Sequence, residues 1–571
     1  FPGTTSDLAT TLGLSTGCDT TQPTPACDHD MAGADFTPTN GQVLAGSYCN
    51  IGLFSIPSGT TVYATKLDKL RIQAENITIQ GTLDANGLGH PTGVGPGAGV
   101  TPGQGGSYAG PGGQVGGAIA MVSYPDAPAE FGSGGAGLNG ADGGGFIILE
   151  ANNTLTIESG GTVTANGLTP TGCGTGGGGS GGTGIMSATT FAGSSGYVYA
   201  KGAAGCSGSG TGSGGRVSMT YNTNSSSIWV DVGQEFLSGA TAADYGAAGT
   251  IFENDLTANF KLVKISGTYT TSNGTNIGSM NTVDDFVVAN SGLVTFNGTT
   301  ISNSFSVDGG TLAVNGTSNF TLPLFVNNGT VHLDGNITFS DLTIAGGTVN
   351  AMNATQINAN TINITGGTLT HDQNFDTQTH TLTVNATNIT VGASGAIDVS
   401  GKGYGATHGP GAGATGYLGG AHGGDGGSNA GMTYGNLTNP ATIGSGGYGS
   451  AGLTLTPNYI YDGSGGGFVR LVVSNLLQVD GTIRADGKGS GCCISYGGGS
   501  GGSVYISTNN LQGTGTITAN GGTVNNGNGG GGGRLALYYG TYSFSGTTQA
   551  AAGTGSTANG VAGTVHDAGG G

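Results

Sequence analysis

Five segments in the middle of the chain recur at a nearly fixed step: GLVTFNG at 292, GTLAVNG at 310, GTVHLDG at 329, GTVNAMN at 347 and GTLTHDQ at 367. The steps are 18, 19, 18 and 20 residues. A second apolar piece precedes most of them: FSVDG at 305, LFVNNG at 324, LTIAGG at 342 and INITGG at 362. Within each piece apolar and polar residues alternate, and Gly or Asn closes it, which is the pattern of short strands joined by tight turns. Self-similarity at about 20 residues marks a solenoid. Each coil can bury its inward Val, Leu and Ile only against the coil that follows. Three short strands fill such a coil, so the expected fold is all-β: a parallel β-helix with almost no helix. An antiparallel sandwich would not return the same strand at the same step.

The flanks carry a longer version of the same unit. GTLDANG (81–87), GTVTANG (161–167), GAIDVSG (395–401), GTIRADG (481–487) and GTITANG (515–521) share the form GTΦxAxG, with Φ apolar. Four of the five run into a glycine-rich stretch, and glycine supplies 124 of the 571 residues. Residues 66–235 and 380–545 follow the same order of strands and glycine tracts. Phe146 corresponds to Phe468, Arg216 to Arg534, and Cys173 falls beside Cys492 and Cys493. The expected organisation is an N-terminal leader with first strands (1–65), a glycine-rich β-helical module (66–235), a regular solenoid core (236–390), a duplicate glycine-rich module (391–545) and a tail (546–571). The glycine stretches are too long for turns and read as ordered insertions leaving one corner of the coil, with Tyr108, Tyr124, Tyr404, Tyr417 and Tyr448 as anchors.

Net charge is −19, from 12 Lys and Arg against 31 Asp and Glu. No basic patch is present to displace counterions from phosphates, which argues against nucleic acid as a partner. No apolar run is long enough for a transmembrane helix. The start at Phe1 fits a processed secreted chain. The seven cysteines, Cys18, Cys27, Cys49, Cys173, Cys206, Cys492 and Cys493, lack zinc-ligand spacing and read as disulfide candidates of an oxidising compartment. Their connectivity stays open, as does the fate of the odd thiol.

Residues 42–87 contain SIPSGTTVYA followed by ITIQGTLDANG, and 529–539 read GGGGGRLALYY, with a looser copy, GSGGRVSMTY, at 212–221. This order resembles that of large secreted glycine-rich β-helical surface or adhesive proteins of bacteria and protists. The resemblance covers the two flanking modules. It implies a secreted β-helical surface protein and carries no catalytic residue across.

β-Helices can act on polysaccharides, through paired carboxylates or a basic residue beside acids. Asp284 and Asp285 are adjacent and point to opposite faces by alternation. Asp334 and Asp341 lie near turns, Asp84, Asp398 and Asp480 lie in or beside GTΦxAxG strands, and none forms a dyad by spacing. His371 and His380 have no ligand partner nearby in sequence. No metal site is expected, although GGDGGSN at 423–429 leaves bound calcium open. N-x-S/T sequons occur at Asn76, Asn152, Asn224, Asn273, Asn297, Asn315, Asn319, Asn328, Asn336, Asn353, Asn363, Asn385, Asn388 and Asn436. Ten of these fall between 273 and 388, where a solenoid puts Asn at outward turns, so N-glycans are expected there.

The expected function is structural and non-enzymatic. The chain reads as a subunit of a secreted, N-glycosylated filament, sheath or surface layer, built from copies of itself by head-to-tail or strand-addition contacts. The alternative is an adhesin whose glycine-rich insertions bind carbohydrate or a cell surface. A polysaccharide-degrading enzyme ranks last.

Overall fold

The computed structural model describes residues 27–113, 128–172, 174–235, 244–267, 283–290, 293–296, 301–315, 318–320, 323–413, 415–429, 432–448, 463–489 and 497–569. Among these residues there is no helix, and the strands form a long, mostly parallel sheet with a second, five-stranded parallel one. The fold is a parallel β-solenoid. It divides into two compact units: Phe1–Lys261 with Gly267–Gly278, and Leu262–Ser266 with Ser279–Gly571.

In the first unit the rungs Ser47–Ile56, Lys69–Ile79, Phe146–Ile157, Thr183–Ala192, Arg216–Asn224 and Gly249–Asp255 stack in that order. A second ladder runs through Thr61–Tyr63, Thr82–Asp84, Thr162–Thr164, Ser194–Tyr199 and Ser227–Asp231. The long rungs slip register where they bend, between Ala74 and Asn76 and between Ala151 and Thr154. One bent rung and one short strand therefore give a coil three faces. The inward column is apolar throughout: Leu70, Ile72, Ala74, Ile77, Ile79, Leu83 and Ala85 in one coil, then Ile147, Leu149, Ala151, Leu155, Ile157, Val163 and Ala165 in the next. Full burial of a Val, Leu or Ile side chain contributes roughly 1.5–3 kcal/mol, so the cohesion lies between coils rather than within them.

The second unit has the same plan. Its rungs run from Val283–Asn290 through Ile301–Asn315, Leu324–Thr338, Thr348–Ile364, Thr381–Val391, Phe468–Val479, Ser503–Gly513 and Arg534–Phe544 to Thr564–Gly569. The sequence repeat is the register itself. Leu293 pairs with Thr311, Thr311 with Thr330, Thr330 with Thr348 and Thr348 with Thr368. In each GTΦxAxG copy both Φ and the following Ala (Val in one copy) point inward and are buried: Leu83 and Ala85, Val163 and Ala165, Ile397 and Val399, Ile483 and Ala485, Ile517 and Ala519.

The described glycine tracts are ordered, and they are not β-sheet. Along 177–182, Gly177 and Ser180 donate their N–H groups to the carbonyls of Ala136 and Ser133. Gly178 and Gly181 donate to Gly210 and Ser213, and Gly179 and Gly182 to Leu168 and Ala165. Each neighbour is met every third residue, the repeat of the polyproline-II conformation, which has no internal hydrogen bonds and turns its N–H and C=O groups outward in three directions. The same segment accepts from Ala141 and Gly144, from Gly106 and from Ala203. One extended chain is thus bonded to six surrounding segments.

The duplicate repeats the lattice. Gly497 and Ser500 donate to Tyr448 and Ser445, Gly498 and Gly501 to Asn528 and Gly531, and Gly499 and Gly502 to Lys488 and Ala485. Glycine is required because backbones touch: a Cβ on Gly178 or Gly499 would fall inside the 3.0 Å limit from the carbonyl oxygens of Ala203 and Ser464. Both lattices join their solenoid at the same corner. The glycine that returns the chain to the next rung donates to the carbonyl of the motif residue it left: Gly145 to Ala85, Gly182 to Ala165, Gly467 to Val399, Gly502 to Ala485 and Gly533 to Ala519.

Candidate functional site

The exit corner is held by the residue between Ala and Gly of the motif. Asn86 Oδ1 accepts the N–H of Asn166 at 2.7 Å, and Asn166 Oδ1 accepts that of Lys201 at 2.7 Å. In the second unit Asp486 Oδ1 accepts the N–H of Asn520 at 2.6 Å, and Asn520 Oδ1 that of Ala551 at 2.8 Å. Each side chain caps the backbone of the coil beyond it. Asp486 therefore occupies an Asn position, and burial raises its carboxyl pKa.

A pair of equivalent arginines locks the bundle to the rungs. Arg216 and Arg534 follow the last glycine of their tracts, and both are buried. Arg216 donates to Thr250 Oγ1 at 2.9 Å and lies against the Tyr108 ring, whose hydroxyl bonds Thr183 at 2.7 Å. Arg534 donates to Thr564 Oγ1 at 3.1 Å and to the Tyr434 carbonyl at 2.7 Å. Two histidines are sealed into the second unit. His371 Nε2 takes the N–H of Phe468 at 3.0 Å, and His422 bonds the Gly501 carbonyl and Thr442 Oγ1, both at 2.8 Å. Burial pulls the pKa of each down to about 4, so both are neutral at physiological pH.

The acids weighed from sequence serve as local hydrogen-bond acceptors. Asp398 pairs with Arg484 at 2.6 Å, Asp480 accepts from Gln478 and Thr514, Asp334 from Asn353, Asp341 from Thr361, and Asp84 from the N–H of Asn86. The side chains of Asp284 and Asp285 lie outside the described residues. His380 Nδ1 bonds the N–H of Asn353 at 2.8 Å. Among the described residues no three His, Cys, Asp or Glu side chains gather around a common point.

Cys27 and Cys49 form a disulfide, Cα to Cα 6.1 Å, tying the first coil to the rung Ser47–Ile56. Cys206 is buried with its Sγ 3.7 Å from the Gly172 carbonyl. Cys18, Cys173, Cys492 and Cys493 lie outside the described residues.

Of the sequons, Asn273 and Asn297 lie outside the described residues, as do the side chains of Asn315 and Asn319. Asn152, Asn224, Asn328, Asn336, Asn353 and Asn436 are exposed, while Asn76, Asn363, Asn385 and Asn388 are half-buried. The Nδ2 atom, where a glycan attaches, has different surroundings among them. Asn353 gives it to Asp334 at 2.8 Å, and Asn385 to Asn358 at 3.0 Å, in an amide ladder that continues to Asn336. Asn224, Asn328, Asn336 and Asn436 bond through Oδ1 instead.

One surface groove, of about 430 Å³, lies on the outer face of the first unit's short-strand ladder. Register puts Trp229 beside Tyr197 and Asp231 beside Tyr199. Tyr197 and Tyr199 stack at 5.6 Å with their planes 20° apart, and Lys201 Nζ sits 5.2 Å from the Tyr199 ring centre. Trp229, the one tryptophan of the chain, is 63% exposed. Ser195 and Ser227 close the groove, and Ser195 has a φ of 59°, a left-handed conformation uncommon for a residue with a side chain.

Comparison of the chain with protein-family models, curated proteins and solved structures gave no match.

Proposed function

We propose that the protein is a structural, non-enzymatic subunit of an extracellular filament, sheath or surface layer, N-glycosylated and assembled from copies of itself. The observation that carries this reading is the use made of the glycine tracts. Residues that elsewhere form mobile linkers are here committed to a lattice bonded in six directions and fastened to a solenoid by returning glycines and buried arginines. Such a lattice offers few side chains to a substrate and much resistance to bending and proteolysis. The Cys27–Cys49 disulfide supports an oxidising location, and no helix among the described residues is long and apolar enough to cross a membrane.

Electron microscopy and intact-mass measurement of the natively produced protein test the reading together. Regular filaments or sheets of a subunit that loses mass on enzymatic removal of N-glycans are expected. Dispersed particles whose mass that treatment leaves unchanged would overturn both polymer and glycan.

A further inference from the structure

The geometry points to a binding site for a neutral polysaccharide at the Trp229 groove, a role separate from assembly. The groove lies on the outward face of the sheet, while the cohesion of the coil comes from the inward face. Val198 is buried, and Tyr197 and Tyr199 on either side of it point outward, at 37% exposure for Tyr197. Trp229 stands next to Tyr197 on the neighbouring strand, roughly 4.8 Å away. Three rings thus gather over two strands where Thr and Asp occupy the corresponding outward positions of the preceding rungs, Thr162 and Thr164, Thr82 and Asp84. Tyr63 on the first rung of the ladder is the other ring in this column, and two rungs without a ring separate it from the groove.

The exposed rings of Trp229 and Tyr197 have apolar centres and polar rims, and Tyr199, stacked on Tyr197 and covered by Lys201, supports them from behind. The axial C–H face of a pyranose ring meets them well, and its equatorial hydroxyls then need donors and acceptors at the edges. Those edges are supplied: Lys201 and Asp231 on one side, Ser195 and Ser227 on the other. A peptide would leave these polar groups without regular partners. The flanking charges, one positive and one negative, balance locally, and the chain as a whole carries −19. A polyanionic glycan would be repelled at long range, which selects a neutral chain. Tyr197 and Tyr199 follow one another along a strand and Trp229 stands across from Tyr197, so the platform is wider than one sugar and takes a run of them.

The single tryptophan makes the site directly readable. Cellohexaose, mannohexaose and N-acetylchitohexaose are each titrated into the full-length protein while Trp229 emission is followed. The expected result is a saturable change with at least one of them, with a Kd in the range of about 10 µM to 1 mM for a shallow open site. Tyr197→Ala, which keeps the reporter, should weaken that binding roughly tenfold or more, the loss expected of a contact worth over a kcal/mol. Tyr63→Ala removes an exposed ring from the same outer face but outside the groove and should leave binding unchanged. Circular dichroism and melting checks that both variants are folded. No saturable change with any of the three sugars up to about 10 mM, the weak-binding limit, would overturn the proposal. So would equal binding by the Tyr197→Ala and Tyr63→Ala variants, or tighter binding of a hexagalacturonate than of every neutral probe.

Discussion

Two glycines six residues apart should respond in opposite directions to the same substitution. Gly178 lies in the first unit's lattice. An added Cβ would fall within 3.0 Å of three backbone atoms, the Ala203 oxygen and carbon and the Ala204 carbon. No flexible side chain can yield there, so a neighbouring backbone must move by about an ångström, which is overpacking of the costly kind. The residue also makes two buried backbone hydrogen bonds, donating to Gly210 at 3.0 Å and accepting from Gly106 at 2.9 Å. Losing or stretching them costs about 1–3 kcal/mol each. Against this, Gly→Ala lowers the entropy of the unfolded chain, a gain of about 0.4–1 kcal/mol. Gly178→Ala should therefore destabilise by about 2–4 kcal/mol. Gly184 sits just beyond, in the rung Thr183–Ala192. Its Cβ would meet only Val217 Cγ2, at 3.8 Å, an ordinary contact. Gly184→Ala should be neutral or stabilising by up to about 1 kcal/mol. Urea unfolding of the two variants, monitored by Trp229 emission in the same unit, gives the difference. Equal midpoints would refute the claim that the tract is a close-packed lattice.

Other consequences follow from the same geometry. His371 and His422 are held neutral at about 4, whereas an unfolded histidine titrates near 6.5. The unfolded state therefore takes up protons first, so stability is full above about pH 6.5 and falls as pH drops towards 4, by about 3 kcal/mol per histidine at most. Urea midpoints of the second unit across this range check the slope, and a flat profile would count against the burial. Asp486→Asn should raise stability at neutral pH, because burial disfavours the ionised form and the next coil uses Asn520 in the same place; a lower melting temperature would contradict this. Opening the Cys27–Cys49 disulfide, which closes a separation of 22 residues, should cost about 3 kcal/mol and be visible as a shift in melting under reductant. Glycopeptide mapping should find Asn328 and Asn436 occupied ahead of Asn385, whose Nδ2 is engaged in the amide ladder.

The solenoid was legible because its physics writes directly into sequence. An inward column must be apolar at every second residue, and coils must stack, so the 18–20 residue step is the register of the rungs. The exit corner was half legible. GTΦxAxG was visible as a strand and a turn, but the variable residue between Ala and Gly carries the cap, and it is Asn or Asp in four of the five copies. That preference was on the page and needed a reason: an oxygen must reach the N–H of the next coil. The lattice could not be read in detail, because a segment of glycines has no side-chain periodicity. Its period of three resides in the backbone alone. Of the tyrosines in the insertions, Tyr108 is buried beneath Arg216 while Tyr417 is exposed, and a further group of exposed aromatics lies on an outer sheet face. The signal was GYVYAK followed by SIWVD, two strands with aromatic residues at outward positions.

The central claim is that the glycine tracts are hydrogen-bonded structure. Amide hydrogen exchange of the native protein, resolved to peptides covering 177–182 and 497–502, tests it most directly. Every N–H in those segments has a backbone acceptor, so they should exchange as slowly as the rungs Phe146–Ile157 and Phe468–Val479. Exchange at the rate of an unstructured chain would contradict the account.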